Sequence, residues 1–536
     1  LKKRLEAAFP LWMAATLSAA SLACRAVVGL EIHVQLDTRS KLFSAAPTTV
    51  AAPPNGATAP LDLGHPGVLP VLNRHAVMLG VRAGLLLGCR IPPFSQFCRK
   101  HYFYADMPAG YQITQQDRPV AVDGLFRFAV FDDPLPAAVH REQQKSRLLM
   151  YDKEISISRV QLEQDSGKSI HDGSQSLIDF NRSGTALIEI VTGPDFGWLP
   201  EGEAESVGLE AACFVRQLRL LLQHHAICLG EMHKGHLRVD ANVSLTEEDG
   251  SLGQRTEIKN INSISRVHSA INFEVRRQRE MRAEGEEVVF ETRTVDLKGN
   301  TMPMREKERI DYRFLFEPNL PRVTVPCEIR VKVQNDMAAK RALHERLIEE
   351  CRFLPRIAVH LSEELELAEF VRRCWRETSE EEDGRQALKE IGAERFLEWL
   401  STLQQITRKQ KDVPFPPEKP GSARHFVRLL RLVASGRLTR LSAIDLLKTL
   451  TEEDCNGKLD ALIDSRNQWQ IVDTAEIDRL AATVIQGENE ATVSKAAEGS
   501  RKSIQKLRNA LLYAAEKRID VEEATAAIER ELARRN

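Results

Sequence analysis

Between residues 26 and 325 apolar and polar positions alternate in short runs broken by glycine, proline and asparagine, the pattern of half-buried strands. The clearest are VVGLEIHVQL (27–36), ISISRVQL (155–162), TALIEIVTG (185–193), HLRVDANVSL (236–245) and RTEIKNI (255–261). From about residue 335 the spacing becomes helical, as in Leu343, Leu347, Ile348 and Cys351. The proline-rich PFPPEKPGSA (414–423) cannot continue a helix, so a linker is expected there. After it the chain reads as short helices with a serine or threonine near each start: Thr439, Ser442, Thr451, Thr474 and Ser503. The fold class is therefore α+β. A sheet-containing domain spans 26–325, a helical domain 335–413 and a second helical domain 424–536.

Composition adds few constraints. With 43% hydrophobic and 28% charged residues and a net charge of −2, the chain matches an ordinary globular protein, and any contact with nucleic acid must be local. KAAEGSRKSIQKLRNALLYAAEKR (495–518) is the basic stretch that could make one. Nine cysteines without a C-x-x-C pair argue against a disulfide framework. The first 25 residues carry basic residues at both ends around an apolar middle, which reads as a mitochondrial presequence and also fits a secretory h-region. No other stretch approaches the ~20 uninterrupted apolar residues of a membrane span.

Several strands carry candidate chemistry. Alternation in GLEIHVQL puts Glu31, His33 and Gln35 on the face opposite Leu30, Ile32 and Val34, so a carboxylate and an imidazole share one volume, as metal coordination or acid–base work requires. Glu163 shares a face with Arg159 and Gln161 ahead of the turn Asp165-Ser166-Gly167. Glu189 lies inside the apolar run Ala186 to Val191, where an unpaired carboxylate costs several kcal/mol. A metal, a base or a pairing with Arg182 would each satisfy it. Arg238, Asp240 and Asn242 fall on one strand face, Lys259 follows, and Arg305, Arg309 and Arg313 could neutralise a phosphoryl group. RKHYFYADMPAGYQITQ (99–115) sets Arg99, Lys100 and His101 beside Tyr102, Phe103 and Tyr104, which suits a base or ribose with its phosphate and equally suits a pinned loop.

Taken in order, GLEIHVQL, HPGVLPVLN (65–73), RKHYFYADMPAGYQITQ, LEQDSGK (162–168), FNRSGTALIEIV (180–191), LRVDANVS (237–244), RTEIKNINS (255–263) and DYRFLFEPNLP (311–321) resemble the B subunit family of aspartyl/glutamyl-tRNA amidotransferases, in wording most like its mitochondrial members. The resemblance implies a cradle-shaped catalytic domain related to glutamine synthetase, then helical domains of which the last contacts tRNA. It implies ATP and Mg²⁺ as cofactors, Glu-tRNA(Gln) as substrate, and two partners: an A subunit that frees ammonia from glutamine and a small C subunit. It carries metal-ligand and catalytic roles onto Glu31, His33, Glu163 and Glu189. Nucleotide contacts are expected at Lys100, Tyr104, Arg238, Lys259 and Arg305, and the location is the mitochondrial matrix. Two positions depart from the bacterial pattern: Gln164 replaces a glutamate, and Met232-His233-Lys234-Gly235 replaces an acidic stretch. A degenerate family member that only scaffolds the complex and holds tRNA is the alternative.

Overall fold

The computed structural model describes residues 25–48, 52–131, 150–197, 206–247, 250–304, 312–339, 343–351, 353–379, 391–410, 414–417, 421–452 and 459–535. The presequence expectation, the acidic run Glu380 to Asp383, and Arg305 and Arg309 all fall outside these residues. The described chain forms two compact units, one up to Leu343 and one from His344 onward.

The first unit is built on a mixed sheet whose strands are β1 (Ala26–Gln35), β4 (Ala121–Phe131), β5 (Met150–Gln164), β8 (Ala186–Thr192), β9 (Leu237–Leu245), β10 (Thr256–Ile261), β11 (Glu291–Val295) and β12 (Thr301–Pro303). They lie in the order β12-β11-β10-β9-β1-β8-β5-β4. β1 is central and antiparallel to both β8 and β9. A small second sheet joins β2 (Cys98–His101), β3 (Tyr111–Thr114) and β13 (Leu315–Phe316), and β6 (Lys168–Asp172) with β7 (Gln175–Asp179) forms a hairpin. The alternation in β1 holds residue by residue: Val28, Leu30, Ile32 and Val34 are buried, and Glu31, His33 and Gln35 are half-buried on the other face.

The apolar face packs against α1 (Arg74–Leu86), α2 (Ser206–His224) and α3 (Ile264–Ala283) in one continuous core. Within it Phe214 of α2 meets the rings of Phe126, Phe128 and Phe196 edge to face at 5.6, 5.5 and 5.4 Å. Covering one face with helices leaves the other free to carry charge, which is how a sheet rich in Val, Ile and Leu comes to hold a polar site.

A second anchor of this unit lies outside the periodic pattern. Lys41 is fully buried and donates to Asp62 at 3.0 Å and to the Phe180 carbonyl at 3.3 Å. Asp62 also accepts from the Ser44 hydroxyl at 3.1 Å and the Ala59 N–H at 2.8 Å. Burial pushes the Lys41 ammonium below its usual range despite Asp62. The pair ties the chain after β1, the loop near residue 60 and the loop before β8 into one piece.

The second unit is helical among its described residues. α4 (Cys327–Ala339) closes the first unit, and α5 (Leu343–Cys351), beginning at the boundary residue, opens the series that runs through the second. α6 (Pro355–Leu361), α7 (Leu365–Ser379), α8 (Ala393–Lys409), α9 (Ser422–Ala434), α10 (Arg440–Glu452), α11 (Leu459–Ser465), α12 (Thr474–Gly487), α13 (Glu490–Ala497), α14 (Arg501–Ala514) and α15 (Val521–Arg535) follow. The proline-rich segment does interrupt the helices, yet Phe426 of α9 lies 6.0 Å from Phe370 of α7 and 5.7 Å from Phe396 of α8. Prolines end a helix without preventing its neighbours from sharing a core. Thr439 caps α10 by accepting from Ser442 N–H at 3.1 Å, and Asp473 caps α12. Thr451, expected at a helix start, lies in the last turn of α10 and donates to the Leu447 carbonyl at 3.2 Å. A threonine can back-bond within a helix as readily as it caps one. No helix among the described residues is long and apolar enough to cross a membrane.

Candidate active site

The polar face of the large sheet floors a pocket of about 790 Å³. Register puts His33 of β1 opposite Glu189 of β8 and Arg238 of β9, and Glu31 opposite Asp240. Gln161 of β5 faces Glu189 from the far side. Strand pairing therefore gathers residues far apart in sequence.

His33 Nδ1 lies 2.9 Å from Glu163 Oε1. Gln161 Nε2 donates to Glu189 Oε2 at 2.9 Å, and Arg159 Nε donates to Gln161 Oε1 at 2.9 Å. One ligand atom each from His33, Glu163 and Glu189 lie within 4.8 Å of one another. Glu31 lines the same pocket but stands outside that trio, accepting from Asn242 Nδ2 at 3.1 Å. Glu163 is 4% and Glu189 8% exposed, so two carboxylates are packed together away from water.

The electrostatics show what this costs. Burial, then the Glu163 charge, pushes the Glu189 carboxyl up to about 7. Burial opposes the His33 imidazolium, but its bond to Glu163 and the charges of Glu163, Glu189 and Asp240 outweigh it and raise His33 to about 9. Glu163 is held below the usual carboxylate range: burial acts to raise it, and the His33 contact prevails. A buried trio of two carboxylates and one imidazole with converging ligand atoms fits a divalent cation. The carboxylates suit Mg²⁺, and the imidazole would also accept Mn²⁺.

Ligation needs both His33 and Glu189 deprotonated. Cation affinity is therefore expected to strengthen as pH rises from below 7 toward 9, with about one proton released per ion near pH 7.5. Titration calorimetry of Mn²⁺ in buffers of different ionisation enthalpy measures that release. Affinity that does not change with pH would remove His33 and Glu189 from the ligand set.

Cations ring the trio. Asp165, read from sequence as part of the turn that follows Glu163 in a candidate segment, is 4% exposed and accepts from Arg182 Nη2 at 2.6 Å and Arg238 Nη2 at 3.1 Å. Burial raises its carboxyl, and the two guanidiniums overcome this and hold it low. Arg182 therefore serves Asp165 and not Glu189. Arg238 is thereby fixed in the pocket wall, and its buried Nε has no hydrogen-bond partner among the described residues. Lys259 is shared between Glu257 at 2.8 Å and Asp240 at 3.4 Å. Lys100 also lines the pocket, 4.8 Å from the centre of the Tyr312 ring. Tyr104 does not line it: the ring is 57% exposed and 5.7 Å from that of Tyr102, which does. Gln164, which departs from the bacterial pattern, is not a pocket-lining residue, and its Nε2 lies 3.8 Å from Met107 Sδ. Pattern reading passed over Gln112, Ser244, Gln254 and Phe290, all pocket-lining. Their positions are set by pairing and loop geometry that no local periodicity records.

Residues 26–330 match the profile of the GatB/GatE catalytic domain, and residues 387–532 match the GatB domain. The first match alone covers more than half of the chain. The chain belongs to the GatB family. Relatives of this GatB chain include the B subunit of the mitochondrial glutamyl-tRNA(Gln) amidotransferase of Aedes aegypti, 36% identical over 93% of this chain and 91% of that protein. The mitochondrial protein of the same name from Danio rerio is 48% identical over 55% of this chain, an alignment that spans 50% of the zebrafish protein. The B subunit of the aspartyl/glutamyl-tRNA(Asn/Gln) amidotransferase of Janthinobacterium is 33% identical over 94% of this chain and 99% of that protein. The GatB match to the catalytic domain contains the whole charged pocket, from Glu31 to Tyr312.

Proposed function

We propose that this chain is the B subunit of a glutamyl-tRNA(Gln) amidotransferase, converting the glutamyl group of Glu-tRNA(Gln) to glutaminyl at the expense of ATP. The observation that supports this most is the trio His33, Glu163 and Glu189 on the floor of a cation-ringed pocket within the matched catalytic domain. In this reading residues 26–325 form a cradle related to glutamine synthetase, 335–413 a helical domain, and 424–536 a tail that holds tRNA. The partners are an A subunit that supplies ammonia and a C subunit. The place of work is the mitochondrial matrix, in keeping with the mitochondrial relatives.

A carboxylate is a poor acyl donor, and forming an acyl phosphate gives it a good leaving group. A γ-carboxylate oxygen of the glutamyl group attacks the γ-phosphorus of ATP, the bond to the ADP oxygen breaks, and ADP leaves. Ammonia then attacks the acyl carbon, phosphate departs with its bridging oxygen, and the nitrogen loses one proton. His33, Glu163 and Glu189, with Glu31 alongside, would hold Mg²⁺, which when bound neutralises phosphoryl charge. Lys100 and Arg238 bind phosphate oxygens, and Asp165 orients Arg238 to do so. Lys259 of β10, held between Asp240 and Glu257, Tyr104 beside the pocket-lining Tyr102, and Arg305 are proposed as further nucleotide contacts.

In the tail, Lys502, Lys506, Asn509 and Tyr513 fall on the exposed side of α14, opposite buried Leu507 and Leu511. Tyr513 is 85% exposed. Such a stripe suits the tRNA backbone. Replacing Lys502 by alanine is expected to weaken tRNA binding and to reduce the slope of log affinity against log salt by about 1. Filter binding across a salt series measures this, and an unchanged slope would place tRNA elsewhere.

The assignment is tested by ATP consumption and Gln-tRNA(Gln) formation in the purified A–B–C complex, comparing the wild type with Glu31→Ala. Turnover in the wild type alone supports the kinase site. If both are silent while tRNA still binds, the chain is a scaffold.

A further inference from the structure

One side of the pocket carries aromatic surface that phosphate transfer does not use. At the start of β10 the Arg255 guanidinium lies 5.5 Å from the centre of the Phe290 ring. Phe290 is 38% and Leu252 58% exposed, and both line the pocket with Gly253 and Gln254. This edge is held in place: Ser244 Oγ donates to the Gly253 carbonyl at 2.8 Å, and Gly253 N–H donates to the Leu245 carbonyl at 2.9 Å. A Cβ on Gly253 would come within 2.5 Å of Glu247 Oε1 and 2.9 Å of the Leu245 carbonyl, so a side chain there would displace the edge. An open ring beside a guanidinium, on a fixed wall, is suited to stacking a nucleobase.

Position and charge then separate two adenosine-bearing substrates. Strands β10, β9, β1, β8 and β5 are consecutive neighbours, so at ~4.8 Å per strand the β10 side is about 19 Å from β5, near which Lys100 and Tyr102 lie. A triphosphate needs several cations, and Lys100 and Arg238 stand on the His33 and Glu163 side. On the β10 side Lys259 is already balanced by Asp240 and Glu257. That side offers a stacking surface and one guanidinium, enough for a base and a single phosphodiester. Thr256 pairs with Val243 and Val243 with Val28, so this edge lies ~10 Å across the sheet and five residues, ~17 Å, along it from His33. The two stand at opposite ends of one pocket that both line, and an adenosine with its glutamyl chain would have to extend along it.

We propose that Phe290 and Arg255, with Leu252 and Gln254, form the subsite for the 3′-terminal adenosine of the charged tRNA, the base stacking on Phe290 and Arg255 meeting the last phosphodiester. This rests on the amidotransferase reading, in which ATP and the tRNA end must meet over the carboxylate trio. The test uses the intact A–B–C complex and Glu-tRNA(Gln) carrying fluorescent 2-aminopurine in place of its terminal adenine. Wild type is expected to quench the probe on binding, and Phe290→Trp to do the same. Phe290→Ala should lose the quenching while filter binding persists, and raise the KM for unmodified Glu-tRNA(Gln) on the order of ten-fold with the KM for ATP unchanged. Full quenching in Phe290→Ala, or a KM rise confined to ATP, overturns the proposal while the wild type remains active. A wild type that makes no Gln-tRNA(Gln) defeats the underlying reading instead.

Discussion

Glu189→Gln is expected to lower the rate of ATP-dependent amidation by about 10³-fold, roughly 4 kcal/mol of transition-state stabilisation. The amide keeps the shape of the side chain, and its oxygen can still accept from Gln161 Nε2. It removes one of the two buried negative charges of the trio. Protein stability should move in the opposite direction from activity. Burial and Glu163 raise Glu189 to about 7 from an ordinary value of 4.5, so in the metal-free protein its ionisation weakens the folded state as pH rises through that window. The variant should therefore gain stability over the wild type at pH 8 and show no gain at pH 4. Initial rates with Glu-tRNA(Gln), and chemical unfolding at the two pH values with chelator present, measure both effects. Normal turnover in Glu189→Gln would remove the residue from the site.

Lys41→Met is expected to destabilise the catalytic unit by about 3–5 kcal/mol, the cost of leaving one member of a buried ion pair without its partner. Asp62 would keep the Ser44 hydroxyl and the Ala59 N–H but lose its only cation among the described residues. Replacing both partners, Lys41→Met with Asp62→Leu, should recover much of the loss, because two apolar groups leave no buried charge behind. Urea unfolding of the single and double variants gives the comparison. A single variant within about 0.5 kcal/mol of wild type would show that water reaches Asp62.

The two partners are 21 residues apart in segments with no clear periodicity, which is why sequence reading passed them over. The same limit applies to the active site. Alternation within GLEIHVQL was enough to place Glu31 and His33 on one polar face, and a carboxylate inside the apolar run of β8 marked Glu189 as needing a partner. What could not be read was register. His33 meets Glu163 across 130 residues of chain, and the hydrogen bond from Gln161 to Glu189 depends on how β5 slides against β8. Asp165 looked like a turn former because its neighbours are Ser166 and Gly167. Its burial between Arg182 and Arg238 arises only when the loop before β8 folds back beside β9. Helical texture after residue 335 was legible from spacing alone. The shared core across the proline-rich segment was not, because prolines report on backbone and not on which side chains later meet.

The most direct test of the account is oxygen transfer from substrate to phosphate. Glu-tRNA(Gln) labelled with ¹⁸O in the γ-carboxylate is supplied to the A–B–C complex with ATP and glutamine, and the released phosphate is analysed by mass spectrometry. Activation through an acyl phosphate predicts one ¹⁸O in each phosphate formed with Gln-tRNA(Gln), released about 10³-fold more slowly by the Glu189→Gln complex. Phosphate free of ¹⁸O in a complex that still makes Gln-tRNA(Gln) would contradict the phosphorylation chemistry assigned to this chain.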